Sequence, residues 1–131
     1  MLPPFIDHIT IEVSDYALSR RFYEHALAPF RINVKDTTSP DSGKLEAAFG
    51  PPGREDFCIT PGEPARPVHV AFLAPDHETV RAFHAAALAA GGTDNGAPGV
   101  RPKYSDRYYA GYVLDPDGNN VEAVCHDPAN A

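Results

Sequence analysis

The sequence predicts an α+β fold in which one β-α-β pattern occurs twice. Each half has an alternating strand followed by an amphipathic helix and then by short strands, and residues recur when the chain is shifted by 61 positions. A length of 131 residues is typical of one domain. We therefore treat residues 1–131 as a single domain, with unit one over about 5–62 and unit two over about 66–126.

The first unit opens with a strand and a helix. Residues 7–13 alternate between apolar and polar side chains, which predicts a half-buried strand. Ser14 is the expected N-cap of a helix over about 15–28, which Pro29 ends. The predicted apolar stripe of this helix contains Leu18, Phe22, Tyr23, Ala26 and Leu27. The other strands predicted in this unit are 30–36, 45–50 and 56–60.

The second unit repeats this order. Residues 68–73 predict a strand, Asp76 a helix N-cap, and residues 77–90 a helix that Gly91 and Gly92 close. The predicted apolar stripe of this helix contains Val80, Phe83, Ala87 and Leu88. The later strands are predicted over 93–95, 107–114 and 120–125, with a strong turn sequence over 115–119 before the last.

The two units share more residues than chance explains. Between residues 8–27 and 69–88, six of twenty positions are identical, where average composition gives roughly one or two. One identity pairs His8 with His69, and packing alone does not require a histidine there. We interpret the repeat as a duplication.

Three polar residues of the predicted strands are candidate metal ligands. His8 and His69 are out of phase with the residues that face the helix in their strands, and Glu122 is out of phase with its apolar neighbours. If the two sheets face each other across a pseudo-twofold axis, all three side chains enter one space. Two imidazoles and one carboxylate suit a divalent ion such as zinc, iron, manganese, nickel or cobalt. Three protein ligands also leave positions open for substrate.

Composition and charge exclude several classes of protein. A formal net charge of −7 argues against binding to nucleic acid or an anionic membrane surface. No apolar run approaches the ~20 residues of a membrane span. Cys58 and Cys125 form no C-x-x-C pair and are compatible with a reducing compartment, so we expect a cytoplasmic protein.

Four segments resemble one known family. They are residues 7–15 (DHITIEVSD), 21–23 (RFY), 68–72 (VHVAF) and 111–122 (GYVLDPDGNNVE). In these segments the chain is similar to the vicinal oxygen chelate superfamily, which includes glyoxalase I, extradiol dioxygenases, fosfomycin-resistance enzymes and bleomycin-binding proteins. The resemblance implies tandem βαβββ units that form a cup-shaped mixed sheet with the helices outside.

The resemblance also implies a function. The family's metal positions fall on His8, His69 and Glu122, and its members bind small oxygen-rich substrates through two neighbouring oxygens. We expect a metal-dependent enzyme with glyoxalase-like lyase or isomerase chemistry, or dioxygenase chemistry, and a homodimer. The alternative is a metal-free protein that binds or sequesters a small molecule, as antibiotic-resistance members do.

Some positions depart from the family's residue pattern, and at others the role of the residue stays open. Glyoxalase I enzymes use a fourth ligand, usually Glu, where the repeat register of this chain gives Phe57 or Cys58. Extradiol enzymes carry a Tyr ten residues before the metal Glu, and Tyr112 has that spacing. Tyr112 is therefore a candidate catalytic residue beside Glu122, and Tyr108 shares its predicted face. Nearby cationic residues either hold an anionic group or lie on a solvated loop: Arg101, Lys103 and Arg107.

Overall fold

The computed structural model describes residues 6–126 of the chain. It contains two four-stranded mixed sheets and two α-helices, divided equally between two βαβββ units. The α+β class and the repeated units predicted from the sequence are confirmed. The two sheets are not closed into one sheet within the chain.

Unit one has five regular elements and one short 3₁₀ turn. In chain order they are β1 (Ile9–Val13), α1 (Tyr16–Ala26), the 3₁₀ turn (Ala28–Phe30), β2 (Asn33–Thr38), β3 (Leu45–Gly50) and β4 (Phe57–Pro61). The helix ends two residues earlier than expected, because the chain tightens into the 3₁₀ turn that carries Pro29.

Unit two has the same order. Its elements are β5 (His69–Leu73), α2 (His77–Ala89), β6 (Thr93–Val100), β7 (Tyr109–Leu114) and β8 (Asn120–Cys125). β6 is longer than the predicted 93–95. It pairs irregularly with β7 near Gly96 and Gly99, and this irregularity hides the strand from a search for alternation.

The sheets have equivalent topology. The strand orders are β1-β4-β3-β2 and β5-β8-β7-β6, so the first and last strands of each unit pair side by side. These two pairings are parallel and the others are antiparallel. In each sheet the first strand is therefore at one edge.

The N-cap residue agrees with the prediction for α2 but not for α1. Asp76 caps α2 by accepting a hydrogen bond from the Thr79 amide at 2.7 Å, as expected. The cap of α1 is Asp15 rather than Ser14, because the Asp15 carboxylate accepts from the Leu18 amide. Ser14 instead donates both its amide and its hydroxyl to Asp117 of unit two.

One apolar core joins the two units. It includes a cluster of aromatic rings, in which Phe57 of β4 packs edge-on against Phe72 of β5 with ring centroids 5.2 Å apart. Two predicted members of the helix stripes, Leu18 and Leu88, are 37% exposed instead of buried. Ser19 takes the buried position on α1, on the same helix face as the buried Phe22, Tyr23 and Ala26.

A polar junction also ties the units together. The Tyr23 hydroxyl donates to the buried Asp115 carboxylate at 2.5 Å. Asp115 also accepts from the amides of Asp117 and Asn119, which closes the turn before β8. The Asn119 side chain then accepts from the Val68 amide at the start of β5.

Among residues 6–126, no helix is long and apolar enough to cross a membrane.

Candidate functional site

The candidate site is built around a buried carboxylate. Glu122 is 1% exposed, although it lies on the face of β8 that points away from the helices. Its Oε1 lies 2.5 Å from His69 Nε2, and its Oε2 accepts a hydrogen bond from the Tyr108 hydroxyl at 2.7 Å. A buried carboxylate is retained only when its oxygens are paired, and these two contacts satisfy both.

Strand pairing places His69 against Glu122. β5 and β8 are parallel, and Ala71 lies opposite Glu122 in the register, two residues after His69. Since residues two apart share one face of a strand, the His69 imidazole stands beside the carboxylate. Its side chain remains 55% exposed, so the pair is buried on the carboxylate side and open on the imidazole side.

Two tyrosines on β7 and the segment before it complete this face. Tyr112 lies opposite Glu122 in the β7–β8 register, and its ring centroid is 6.5 Å from that of His69. Burial, followed by the nearby Glu122 carboxylate, raises the pKa of the Tyr112 phenol. Burial and the hydrogen bond to Glu122 raise the pKa of Tyr108. Both phenols therefore stay protonated at neutral pH and act as donors.

The direct contact between Tyr108 and Glu122 was not expected. In the hairpin register Tyr109 lies opposite Cys125, so simple pairing places Tyr108 well beyond Glu122. The long Tyr108 side chain reaches back along the sheet to the carboxylate. Alternation in the sequence identified the shared face but could not identify this partner.

His8 lies apart from this group. It precedes β1 on the other sheet and lines a cavity of about 730 Å³ with Thr10, Glu46 and Cys58. His69 lines a different cavity, of about 520 Å³, together with apolar residues of both units. The Asp7 carboxylate accepts from His8 Nδ1 at 2.7 Å and raises the pKa of the imidazole. The structure thus brings together His69, Glu122, Tyr108 and Tyr112, which we call the Glu122 face, and leaves His8 on the other unit.

Strand register identifies the counterpart of Glu122 in unit one. Thr10 lies opposite Cys58 in the β1–β4 pair, as Ala71 lies opposite Glu122 in the β5–β8 pair. A shift of 61 residues relates Thr10 to Ala71, so Cys58, and not Phe57, occupies the equivalent position. Cys58 is 4% exposed, and burial raises the pKa of its thiol. No carboxylate therefore stands beside His8 at this position.

The donors of unit two fit part of a metal site. One imidazole nitrogen and one carboxylate oxygen face each other, and both are donor types that divalent transition metals accept. The Tyr108 hydroxyl holds the second carboxylate oxygen, as an outer partner of a metal ligand does. Within the part of the chain that the structure describes, no group of three His, Cys, Asp or Glu side chains is close enough to hold an ion. A third protein ligand has to come from elsewhere.

The three cationic candidates differ in their surroundings. Lys103 lies over the exposed Tyr104 ring, and Arg107 is exposed. Arg101 is partly buried, and its guanidinium carbon lies 5.1 Å from the centre of the Tyr112 ring. Only Arg101 of these three contacts a residue of the Glu122 face.

Comparison with known proteins agrees with this architecture. The family model described as the Glyoxalase/Bleomycin resistance protein/Dioxygenase superfamily matches residues 5–123. No curated protein matches the chain.

Solved structures with this fold cover nearly the whole chain. A glyoxalase/bleomycin resistance protein from Albidiferax ferrireducens is 28% identical with a TM-score of 0.75, over 93% of this chain and 98% of that one. A family enzyme from Burkholderia phytofirmans is 18% identical with a TM-score of 0.68, over 92% and 97%. A glyoxalase I mutant from Zea mays is 22% identical with a TM-score of 0.67, over 91% of this chain and 46% of that one.

Proposed function

Because the chain belongs to the glyoxalase/bleomycin resistance protein/dioxygenase superfamily, we propose that it is a metal-dependent enzyme. Its substrate is a small oxygen-rich molecule that binds a divalent ion through two neighbouring oxygens. His69 and Glu122 of one chain hold the ion together with His8 of a second copy.

The observation that carries this proposal is the buried Glu122 carboxylate with an imidazole nitrogen 2.5 Å away. A carboxylate that served only the fold would be expected to pair with groups buried as deeply as itself. Here one partner, His69, is half exposed and faces open space. This arrangement suits a site where a cation and an incoming ligand are added to groups already in place.

We assign the third ligand, His8, to a second copy of the chain for a geometric reason. His8 precedes β1 of unit one and His69 begins β5 of unit two, and their side chains are 56% and 55% exposed. The apolar residues Leu73 and Ile6, near the edge strands β5 and β1, are also exposed, at 72% and 61%. A homodimer that covers these edges would place unit one of one chain against unit two of the other.

Each residue has a separate role in this proposal. The ion, zinc, iron, manganese, nickel or cobalt, supplies Lewis acidity toward two substrate oxygens. Asp7 orients the His8 imidazole, and Tyr108 orients Glu122. The protonated Tyr112 hydroxyl donates to a substrate oxygen and stabilises negative charge as it develops there. Glu122 is both a ligand and the carboxylate nearest to protons released from the substrate.

Two reaction classes use such a site. With iron(II), two histidines and one carboxylate suit oxygen activation. With zinc, nickel or manganese, the same ligands suit proton transfer, as in a lyase or isomerase. Since Cys58 replaces a fourth carboxylate, the ion keeps more positions for substrate than a site with four protein ligands.

Elemental analysis of the purified full chain tests the metal proposal. We expect about one divalent ion per chain, because each of three ligands contributes to a single site. His8→Ala, His69→Ala and Glu122→Ala should each lose most of the bound ion. His25→Ala is the matched control, because this exposed histidine lies on α1 and hydrogen-bonds the Arg21 carbonyl of its own helix. Full occupancy in all three variants would overturn the proposal.

A metal-free binding protein is the second candidate. The observation in its favour is that His8 is already paired with Asp7 and does not reach His69 or Glu122 within one chain. If the purified chain binds small molecules equally well after treatment with a chelator, this second function is correct.

A further inference from the structure

One arginine, Arg101, is held in a defined position beside the Glu122 face. Arg101 follows β6, and its guanidinium lies over the Tyr112 ring at 5.1 Å. Its Nη2 donates to the Ala97 carbonyl at 2.6 Å. The ring and the carbonyl fix the direction of the guanidinium, and its other N–H groups stay available to a ligand.

Two glycines of β6 make room for this guanidinium. A Cβ atom at Gly96 would lie 3.2 Å from Arg101 Nη2 and 2.9 Å from the Tyr112 ring. A Cβ atom at Gly99 would lie 3.2 Å from Nη1. Gly96 also has φ +148°, which an L side chain rarely adopts. The two glycines and the irregular pairing of β6 with β7 therefore leave space for the Arg101 guanidinium.

The charge of Arg101 is not neutralised within the chain. Over residues 6–126, no carboxylate forms an ion pair with it, whereas Arg20 and Arg54 each have an acidic partner. The other arginines that lack such a pair are exposed to solvent: Arg21, Arg31, Arg66, Arg81 and Arg107. Arg101 is thus a partly buried, unpaired cation in a chain of net charge −7.

We infer that Arg101 binds a carboxylate group of the substrate, and that the enzyme selects anionic substrates. The inference rests on the proposed function, in which the two neighbouring oxygens of the substrate bind the ion held by His69 and Glu122. Arg101 and His69 each lie within 6.5 Å of the Tyr112 ring centre, so one benzoate-sized molecule reaches both. A guanidinium forms two parallel hydrogen bonds with a carboxylate, which makes the recognition directional.

Two probes separate this inference from the metal site. Catechol offers two neighbouring oxygens and no charge, and 3,4-dihydroxybenzoate adds a carboxylate on the far side of the ring. Calorimetric titration of the metal-loaded protein should show tighter binding of 3,4-dihydroxybenzoate. Arg101→Met should weaken that binding about tenfold to a hundredfold, the range for a hydrogen bond to a charged group. Its affinity for catechol should stay unchanged.

Matched variants complete the test. Arg107→Met removes an exposed arginine of the same loop and should change neither affinity. Arg101→Lys should recover part of the lost binding, because it keeps the charge without the planar pair of donors. Thermal unfolding of each variant checks that the fold is intact.

The outcomes distinguish the two proposals. Equal weakening of both probes by Arg101→Met, or no weakening of either, overturns the role of Arg101. Wild-type binding of catechol that equals that of 3,4-dihydroxybenzoate also overturns it. Binding that depends on Arg101 but persists without metal supports the anion site and contradicts the metal-dependent function. If neither probe binds the metal-loaded wild type, the role of Arg101 is overturned, whereas the metal content of the chain and its three ligand variants still decides the metal-dependent function.

Discussion

At the scale of single residues, the two tyrosines of the Glu122 face make different contacts, and the proposed function gives them different tasks. The Tyr108 hydroxyl contacts the carboxylate itself, at 2.7 Å. Tyr112 lies opposite Glu122 in the β7–β8 register, with its ring centroid 6.5 Å from that of His69. Tyr109, on the other face of the strand, stacks on the buried His77 ring with centroids 3.9 Å apart.

Substitution of each tyrosine by phenylalanine separates these tasks. Tyr108→Phe should lower metal affinity about tenfold or more, the usual effect of losing a partner that orients a ligand. Tyr112→Phe should keep the ion and lower turnover roughly ten- to a thousandfold, because one oriented donor to developing charge is lost. Metal titration and turnover with an identified substrate measure the two effects.

Tyr109→Phe is the control for both variants. It removes only a hydroxyl that contacts Arg81 at 3.3 Å, so it should change neither quantity. Metal loss in the Tyr112 variant, with the Tyr108 variant unaffected, would show that the two assignments are exchanged.

Strand register decides that Cys58, and not Phe57, is the counterpart of Glu122 in unit one. Cys58 holds the position equivalent to Glu122, but its thiol is buried and its sulfur contacts the Glu55 carbonyl at 3.8 Å. The repeat therefore gives two equivalent positions, and only the second carries a carboxylate. The asymmetry confines the buried carboxylate to one unit.

At the scale of elements, the turn that precedes β8 does more than reverse the chain. Asp115 accepts hydrogen bonds from its own turn and from Tyr23 on α1, and Asp117 accepts from Ser14. The turn thereby fixes unit two against the first helix and the residue that precedes its N-cap. It also sets where β8 begins, two residues before Glu122.

Tyr23→Phe tests this junction. It should lower the free energy of unfolding by about 1.5–3 kcal/mol at pH 7, the usual range for a buried hydrogen bond to a charged group. Burial and Asp115 raise the pKa of Tyr23 well above its ordinary value. A raised folded pKa stabilises the protein below the unfolded pKa of about 10, and this contribution is lost as pH rises further.

Urea denaturation at pH 7 and above pH 10 gives the measurement. The difference between wild type and Tyr23→Phe should shrink at the higher pH. Tyr104→Phe is the control, because this tyrosine is 58% exposed and should leave stability unchanged at both values. A difference that does not vary with pH would contradict the assignment.

At the scale of the whole molecule, the candidate ligands are divided between the two units and line different cavities. Unit one presents His8 and unit two presents His69 with Glu122, and no strand pairing joins the two sheets among the described residues. In a symmetric dimer that pairs unit one with unit two, each of two sites would use ligands from both chains.

Complementation between variants tests this assembly. Neither His8→Ala nor Glu122→Gln should bind an ion tightly as a homodimer. A purified heterodimer of the two variants should bind about one ion, because one of its two sites receives all its ligands from the intact positions. Elemental analysis of the isolated heterodimer provides the measurement, with the wild-type dimer at about two ions as reference. A heterodimer without metal, or a monomer at micromolar concentration, contradicts the shared site.

The sequence alone was sufficient for the repeated units, for most helix and strand positions and for the helix cap at Asp76. Each depends on periodicity or on contacts within a few residues, which the order of amino acids specifies directly. The face shared by Tyr108, Tyr112 and Glu122 followed from alternation in the same way.

Only the tertiary structure decided which residues meet across the chain. Tyr108 hydrogen-bonds Glu122, which is 14 positions away, and Arg101 lies over the ring of Tyr112, which is 11 positions away. Tyr23 hydrogen-bonds Asp115, which is 92 positions away. The separation of His8 from His69 depends on how two complete units pack, since residues related by a sequence repeat need not face one another. Strand register, helix packing and irregular pairing in β6 fix these distances, and each arises from contacts that local patterns do not encode.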